Sequence, residues 1–167
     1  MIAEYTDQHL AAAVGKLLEH QGLTLSCAES CTGGLIASRI TDVPGSSTYF
    51  QYGVVTYSNW AKEHFLKVNP QTLHQYGAVS GETAREMVQG VKAIGQTDLA
   101  LAVTGIAGPG GGSPQKPVGL VYIAVAQHER VICREFRFLG TRAEIKEQTA
   151  DQALFLVKSL LEGAITP

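Results

Sequence analysis

A chain of 167 residues with 13 Lys and Arg against 15 Asp and Glu has room for one domain with a substantial core. Its net charge of −2 and lack of any Lys/Arg cluster exclude affinity for a nucleic-acid backbone. Hydrophobic residues make up 45% of it, yet no apolar run approaches the ~18–20 residues of a membrane span, and residues 1–7 lack the pattern of a signal peptide. The expectation is a cytoplasmic protein with neither nucleic acid nor membrane as partner. Three cysteines, Cys27, Cys31 and Cys133, imply no disulfide framework and no zinc site.

Leu10, Val14, Leu17 and Leu18 form the apolar stripe of a helix over residues 7–20, ended by Gly22. Residues 23–27 read as the first strand. A helix follows over about residues 34–42, stopped by Pro44 and Gly45. Residues 52–57 are the second strand, Asn59 caps a short helix reaching Leu66, and another short helical piece follows Pro70. Ser80 caps a longer helix whose inward stripe is Ala84, Met87, Val88 and Val91. Residues 99–103 are a nearly continuous apolar run, as in a strand covered on both faces. A glycine-rich loop then leads to strands over 118–126 and from Glu129 or Arg130 to Phe138. Thr141 and Glu144 form a capping box that opens the last helix. The pattern predicts an α/β fold: a mixed, mostly parallel sheet between two helix layers, without internal repeat or second domain. In such sheets ligands collect beyond the carboxyl ends of the strands, where residues 30–34, 57–62 and 104–112 would share one cleft.

Ser30, Cys31 and Thr32 crowd a hydroxyl, a thiol and a second hydroxyl into the turn between the first strand and its helix. Gly33 and Gly34 let the backbone turn sharply there, and the helix would point free N–H groups at a developing oxyanion. Capping alone is the alternative use of such a turn. None of the five histidines stands in a turn after a strand with an acidic orienter nearby, so a Ser–His–Asp triad is unsupported. Lysine is the other candidate base. With Asn59 as cap, Lys62 takes the third helical position, where a capping box places an acid and where the helix field favours the neutral amine. That field is too weak to bring a lysine to the working range, so burial or a second positive charge must do most of it. The alternative is a solvated lysine paired with Glu63. Tyr57, five residues earlier, carries a hydroxyl able to relay a proton, or simply packs at a strand end. Ser113 and Lys116 match a Ser-x-x-Lys spacing, but Pro114 denies that segment the helical turn the motif requires. The glycine loop after Thr104 is neither a P-loop nor a dinucleotide fingerprint, yet its amides can form a nest for an anion, with Arg142 assisting. A flexible surface loop is the alternative there.

Taken together, these segments resemble the nicotinamide-nucleotide amidase family, which is also the C-terminal domain family of competence-damage-inducible protein CinA. The resemblance rests on Ala28-Glu29-Ser30-Cys31-Thr32-Gly33-Gly34, on Pro44-Gly45-Ser46-Ser47 with Tyr49-Phe50, and on Val55-Thr56-Tyr57-Ser58-Asn59 followed by Lys62. Gly77-Ala78-Val79-Ser80, Thr104-Gly105-Ile106-Ala107-Gly108-Pro109, Lys116-Pro117-Val118-Gly119 and Gly140-Thr141-Arg142 complete it. It spans about residues 8–162. It implies a three-layer α/β/α fold and hydrolysis of nicotinamide mononucleotide to nicotinate mononucleotide and ammonia, without metal or organic cofactor. Ser30 would be the nucleophile, Lys62 the base and Tyr57 the proton relay. Amides near Cys31, Thr32 and Gly33 would hold the oxyanion, with Gly34 beside them in the substrate site. Ser46, Ser47, Arg142 and the loop bearing Thr104, Gly105, Ala107 and Gly108 would hold the ribose phosphate. Longer family members carry a further N-terminal domain, so residues 1–167 look like the stand-alone amidase form, expected to pair with a second copy. Two rivals remain at this point: a non-catalytic nucleotide-binding module, and a cysteine amidase built on Cys31.

Overall fold

The computed structural model describes residues 7–165; the reading of a missing leader concerns residues 1–7, of which residues 1–6 lie outside the described residues. Five strands, β1 (Leu25–Glu29), β2 (Phe50–Val55), β3 (Leu99–Gly105), β4 (Leu120–Gln127) and β5 (Arg130–Arg137), form one sheet in the order β2-β1-β3-β4-β5. The first three of that order are parallel, and β4 and β5 add as an antiparallel hairpin. Helices α1 (Asp7–Gln21), α2 (Leu35–Thr41) and α6 (Arg142–Leu161) cover one face; α3 (Asn59–Leu66), α4 (Pro70–Tyr76) and α5 (Gly81–Gly95) cover the other. This is the three-layer mixed-sheet arrangement expected. Among the described residues no helix is long and apolar enough to cross a membrane.

Strand alternation gives the two faces different side chains. Toward α1 and α6 point Leu25, Cys27, Leu99, Leu101, Val103, Val121, Ile123 and Val125; toward α5 point Ala28, Ala100, Ala102, Ala124 and Ala126. The alanine face lets α5 lie close, and its neighbour α3 is closer still. A Cβ at Gly90 would sit 2.0 Å from the Leu66 carbonyl oxygen, so only glycine fits there.

Element boundaries differ from expectation for local reasons. The first strand begins at Leu25 rather than residue 23, because Gly22 (φ 64°) closes α1 and the Leu23 N–H bonds back to the Leu18 carbonyl. The strand therefore runs on to Glu29, and the turn starts at Ser30. β2 likewise ends at Val55, leaving Tyr57 beyond it. The cap of α3 is Ser58, whose hydroxyl accepts from the Ala61 N–H at 3.1 Å, so Asn59 is the first helical residue and Lys62 the fourth rather than the third.

Candidate active site

The end of β1 sets the geometry. The Glu29 side chain, 1% exposed, turns toward α2, and its carboxylate accepts from the N–H groups of Gly34 (3.0 Å), Ile36 (3.2 Å) and Ala37 (2.8 Å). The positive end of α2 is therefore occupied by a carboxylate. The Gly33 N–H is taken by the Ser30 carbonyl at 3.1 Å. Among the described residues, the amides of Cys31 and Thr32 are the ones in this turn that bond to no other residue, which leaves these two of the expected oxyanion donors at residues 31–33.

Ser30 projects to the opposite face, beneath α3. Lys62 lies one helical turn before the core residue Leu66, so the same stripe that buries Leu66 carries the lysine inward. Lys62 is 1% exposed. Its Nζ lies 3.0 Å from Ser30 Oγ and 2.7 Å from the Thr56 carbonyl oxygen. Burial lowers its pKa from the usual 10.5 to about 8. Desolvation thus supplies the shift, and the pairing with Glu63 is not made. No helix-end effect is needed.

A cleft of about 260 Å³ opens over this pair, walled by Tyr57, Ala78, Val79, Ile106, Arg142 and the glycines 108, 110 and 111. A larger groove of about 470 Å³, lined by Lys92, Gln96 and His128, lies at the far end of α5 and carries no such pair. The two loops walling the cleft over Ser30 and Lys62 are tied together. Lys116 Nζ donates to the carbonyls of Tyr76 and Val79, and Thr104 Oγ1 donates to the Ala78 carbonyl at 2.7 Å. Thr104 thus anchors the loop with its O–H while still lining the cleft, where its oxygen can accept. Gly105 packs under Val121 and Leu120 and Ala107 is buried at 4% exposure, yet both line the cleft together with Gly108 and the glycines after it.

Arg142, at the start of α6, donates to the Gly108 carbonyl at 2.7 Å and to Tyr57 Oη at 2.9 Å. Tyr57 is 62% exposed, and its hydroxyl stands on Arg142 with no hydrogen bond to Ser30 or Lys62. The expected convergence of positions 30, 57 and 62 is therefore direct for the serine and lysine and reaches the tyrosine only as a wall of the same cleft.

Ser46 and Ser47 are not part of the site, contrary to the expectation. They lie in a 3-10 turn (Ser46–Thr48) whose following residue, Tyr49, accepts from the Leu25 N–H at 2.8 Å, at the amino end of β1. Five strand residues, about 16 Å, separate that end from Ser30. The reason is topological: α2 returns the chain from the carboxyl to the amino end of the sheet so that β2 can run parallel to β1.

Cys31 is 6% exposed and packs into the core on the α1 and α6 face; burial pushes its thiol up to about 12. It does not carry the activated thiolate expected of a cysteine nucleophile at a helix start. Glu29, which holds the α2 amides, and Thr56, whose carbonyl holds Lys62, were not singled out from the sequence as site residues. Their signal was position: an acid and a hydroxyl where strands pass into turns. Among the described residues no group of three or more His, Cys, Asp and Glu side chains is placed to hold a metal.

Residues 7–161 match the family model described as the CinA C-terminal domain. The chain belongs to that family. A CinA-like protein of Geobacter sulfurreducens is 53% identical over 148 residues, covering 89% of this chain and 36% of its own length. One of Syntrophus aciditrophicus is 49% identical over 162 residues, 96% of this chain and 39% of its own. The chain thus spans under two fifths of these relatives. Among solved structures, the competence/damage inducible protein CihA from Agrobacterium tumefaciens superposes with a TM-score of 0.91 at 43% identity, covering 96% of this chain and 99% of that one. A CinA superfamily protein from Klebsiella pneumoniae gives 0.92 at 31% identity, covering 95% and 99%.

Proposed function

We propose that this chain is an amidohydrolase acting through the Ser30–Lys62 pair, with nicotinamide mononucleotide as substrate and nicotinate mononucleotide and ammonia as products. The carrying observation is the 3.0 Å contact between Ser30 Oγ and the Nζ of a lysine buried to 1% exposure. A pKa of about 8 leaves roughly one tenth of Lys62 neutral at pH 7, about 300-fold more than the usual 10.5 allows. In that form Lys62 donates to the Thr56 carbonyl and keeps its lone pair for the Ser30 O–H.

Ser30 Oγ attacks the carboxamide carbon as its proton passes to Lys62, and the carbonyl π electrons move onto the oxygen. The Cys31 and Thr32 N–H groups receive that oxyanion; one such donor is worth about 3–4 kcal/mol. Collapse of the adduct breaks the C–N bond, and Lys62 returns the proton to the departing ammonia. Water, deprotonated by the same lysine, then hydrolyses the acyl-serine. A cationic pyridinium in the cleft adds a like charge beside Lys62 and helps hold it neutral. Arg142 and the backbone of the glycine loop provide the positive edge of the cleft for the ribose phosphate. Tyr57 belongs with Arg142 in that wall; to act as relay its hydroxyl would have to leave the guanidinium. A thiol at about 12 is ionised in only about one molecule in 10⁵ at pH 7, so Cys31 is a poor rival to Ser30. Ammonia release from nicotinamide mononucleotide, measured for the wild type and for Ser30→Ala, tests the reading: turnover is expected in the first and lost in the second. No release by the wild type, or equal release by both, overturns it.

A further inference from the structure

Ladder register places three hydroxyls in a row at the carboxyl end of the parallel strands. Glu29 pairs with Val55 on one side and Val103 on the other, and the Thr56 N–H continues the ladder to the Glu29 carbonyl at 2.8 Å. Ser30 therefore stands between Thr56 and Thr104, all on the face bearing Ala28, Val54 and Ala102, with neighbouring strands ~4.8 Å apart. Thr104 gives its hydroxyl to the Ala78 carbonyl, and Ser30 shares its own with Lys62. The Thr56 hydroxyl is 0% exposed and has no partner among the described residues, although its own carbonyl holds Lys62 Nζ at 2.7 Å. A buried hydroxyl without a partner is costly and calls for an explanation. An ammonium, for its part, has three N–H groups, and Lys62 has two partners in place.

We propose that Thr56 is a positioning residue of the dyad, its hydroxyl serving as the third acceptor of Lys62 once the lysine has taken the Ser30 proton. This rests on the Ser–Lys reading above. The proton leaves Ser30 Oγ for the lysine lone pair, and the new ammonium donates to the serine-derived oxygen, to the Thr56 carbonyl and to Thr56 Oγ1. A hydrogen bond to a charged donor is about twice as strong as a neutral one, so the hydroxyl favours the state after proton transfer over the state before it. The other groups facing Lys62 do not fill this place. Cys31 comes from the turn before α2, Tyr57 and Arg142 form the far wall, and on α5, the helix packed against α3, Glu86 lies outside the cleft lining and is held by Asn69 and Thr72. On its own helix, Glu63 and His64 follow it in sequence.

Thr56→Val removes the hydroxyl at nearly constant volume and keeps the carbonyl; Thr56→Ser restores the hydroxyl. The Lys62 side chain is titrated by NMR in all three proteins, and the kcat for ammonia release is measured beside it. The valine variant is expected to titrate about one pH unit lower, with kcat down about tenfold despite its larger neutral fraction, and the serine variant to recover both. A midpoint that stays in place or rises overturns the proposal, since water entering a loosened site relieves burial and moves the lysine upward. Should Thr56→Val not fold, Thr56→Ala carries the same expectation. If the wild type releases no ammonia, the amidase reading falls while the titration midpoint still decides the role of Thr56.

Discussion

Replacing Glu29 by glutamine exchanges one of two buried carboxylate oxygens for an NH₂ group at constant shape. Oε2 accepts from Gly34 and Ile36, and Oε1 from Ala37. Whichever way the amide is turned, one or more of these N–H groups then faces another donor. The cheaper orientation keeps the oxygen on Gly34 and Ile36 and strands the Ala37 N–H, a buried unsatisfied donor costing about 1–3 kcal/mol. Removing the negative charge from the α2 N-terminus costs about 1 kcal/mol more. The sum, about 3 kcal/mol, is a large part of the 5–15 kcal/mol typical of a domain. Urea unfolding followed by far-UV dichroism should show the midpoint falling by about 1.5 M with an unchanged slope, for a slope of about 2 kcal/mol per M. Because the turn bearing Ser30 is fixed at its far end by the Gly34 N–H on the same carboxylate, kcat for ammonia release should fall with little change in KM. A midpoint within about 0.2 M of the wild type would show that the α2 amides do not depend on Glu29, and the reasoning would fail.

Lys62→Met should abolish turnover yet stabilise the fold. At neutral pH the wild type carries a buried cation whose folded pKa, about 8, lies below the usual 10.5, a penalty of about 3 kcal/mol. Losing the donor to the Thr56 carbonyl offsets part of this, leaving a net gain on the order of 1–2 kcal/mol. Between pH 8 and about 10.5 the unfolded wild type binds more protons than the folded one, so its stability rises there and the advantage of the variant shrinks. Parallel denaturation series at pH 7 and 10 check the sign; for the wild type, kcat/KM should climb with unit slope and level off near pH 8. Tyr57→Phe should leave kcat within about threefold and raise KM several-fold, because it removes the partner of Arg142 and not of the dyad. A hundredfold loss of kcat would instead restore the tyrosine to the proton path.

The layers of the fold were legible because their signals are local: the stripe of α5, the apolar run of β3 and the capping box of α6, which the Thr141 and Glu144 side chains form in both directions. Ser30 and Lys62 were legible as misfits, a hydroxyl at a glycine turn and a cation in the first turn of a helix. Their contact was not, because it depends on which residue of β2 lies beside Ser30, and register is a property of two strands together. The two-residue lag at Leu25, caused by the closing turn of α1, shows how little is needed to misplace it. Ser46 and Ser47 differ for another reason: a parallel crossover requires the chain to return to the other end of the sheet, which places them away from Ser30 whatever their local motif.

Glu29 and Thr56 escaped notice for a related reason. An acid or a threonine at the end of a strand reads as the boundary between core and solvent, where polar residues belong. Here both are buried, at 1% and 0% exposure, because helices pack over the strand ends on each face. Burial converts a boundary residue into an organising one: the carboxylate takes the α2 amides on one side, and the threonine carbonyl takes the lysine on the other. The same burial that hides these residues from a sequence reading lowers Lys62 to about 8. A site exposed enough to be obvious would have left its lysine near the usual 10.5, with about 300-fold less of the neutral amine at pH 7.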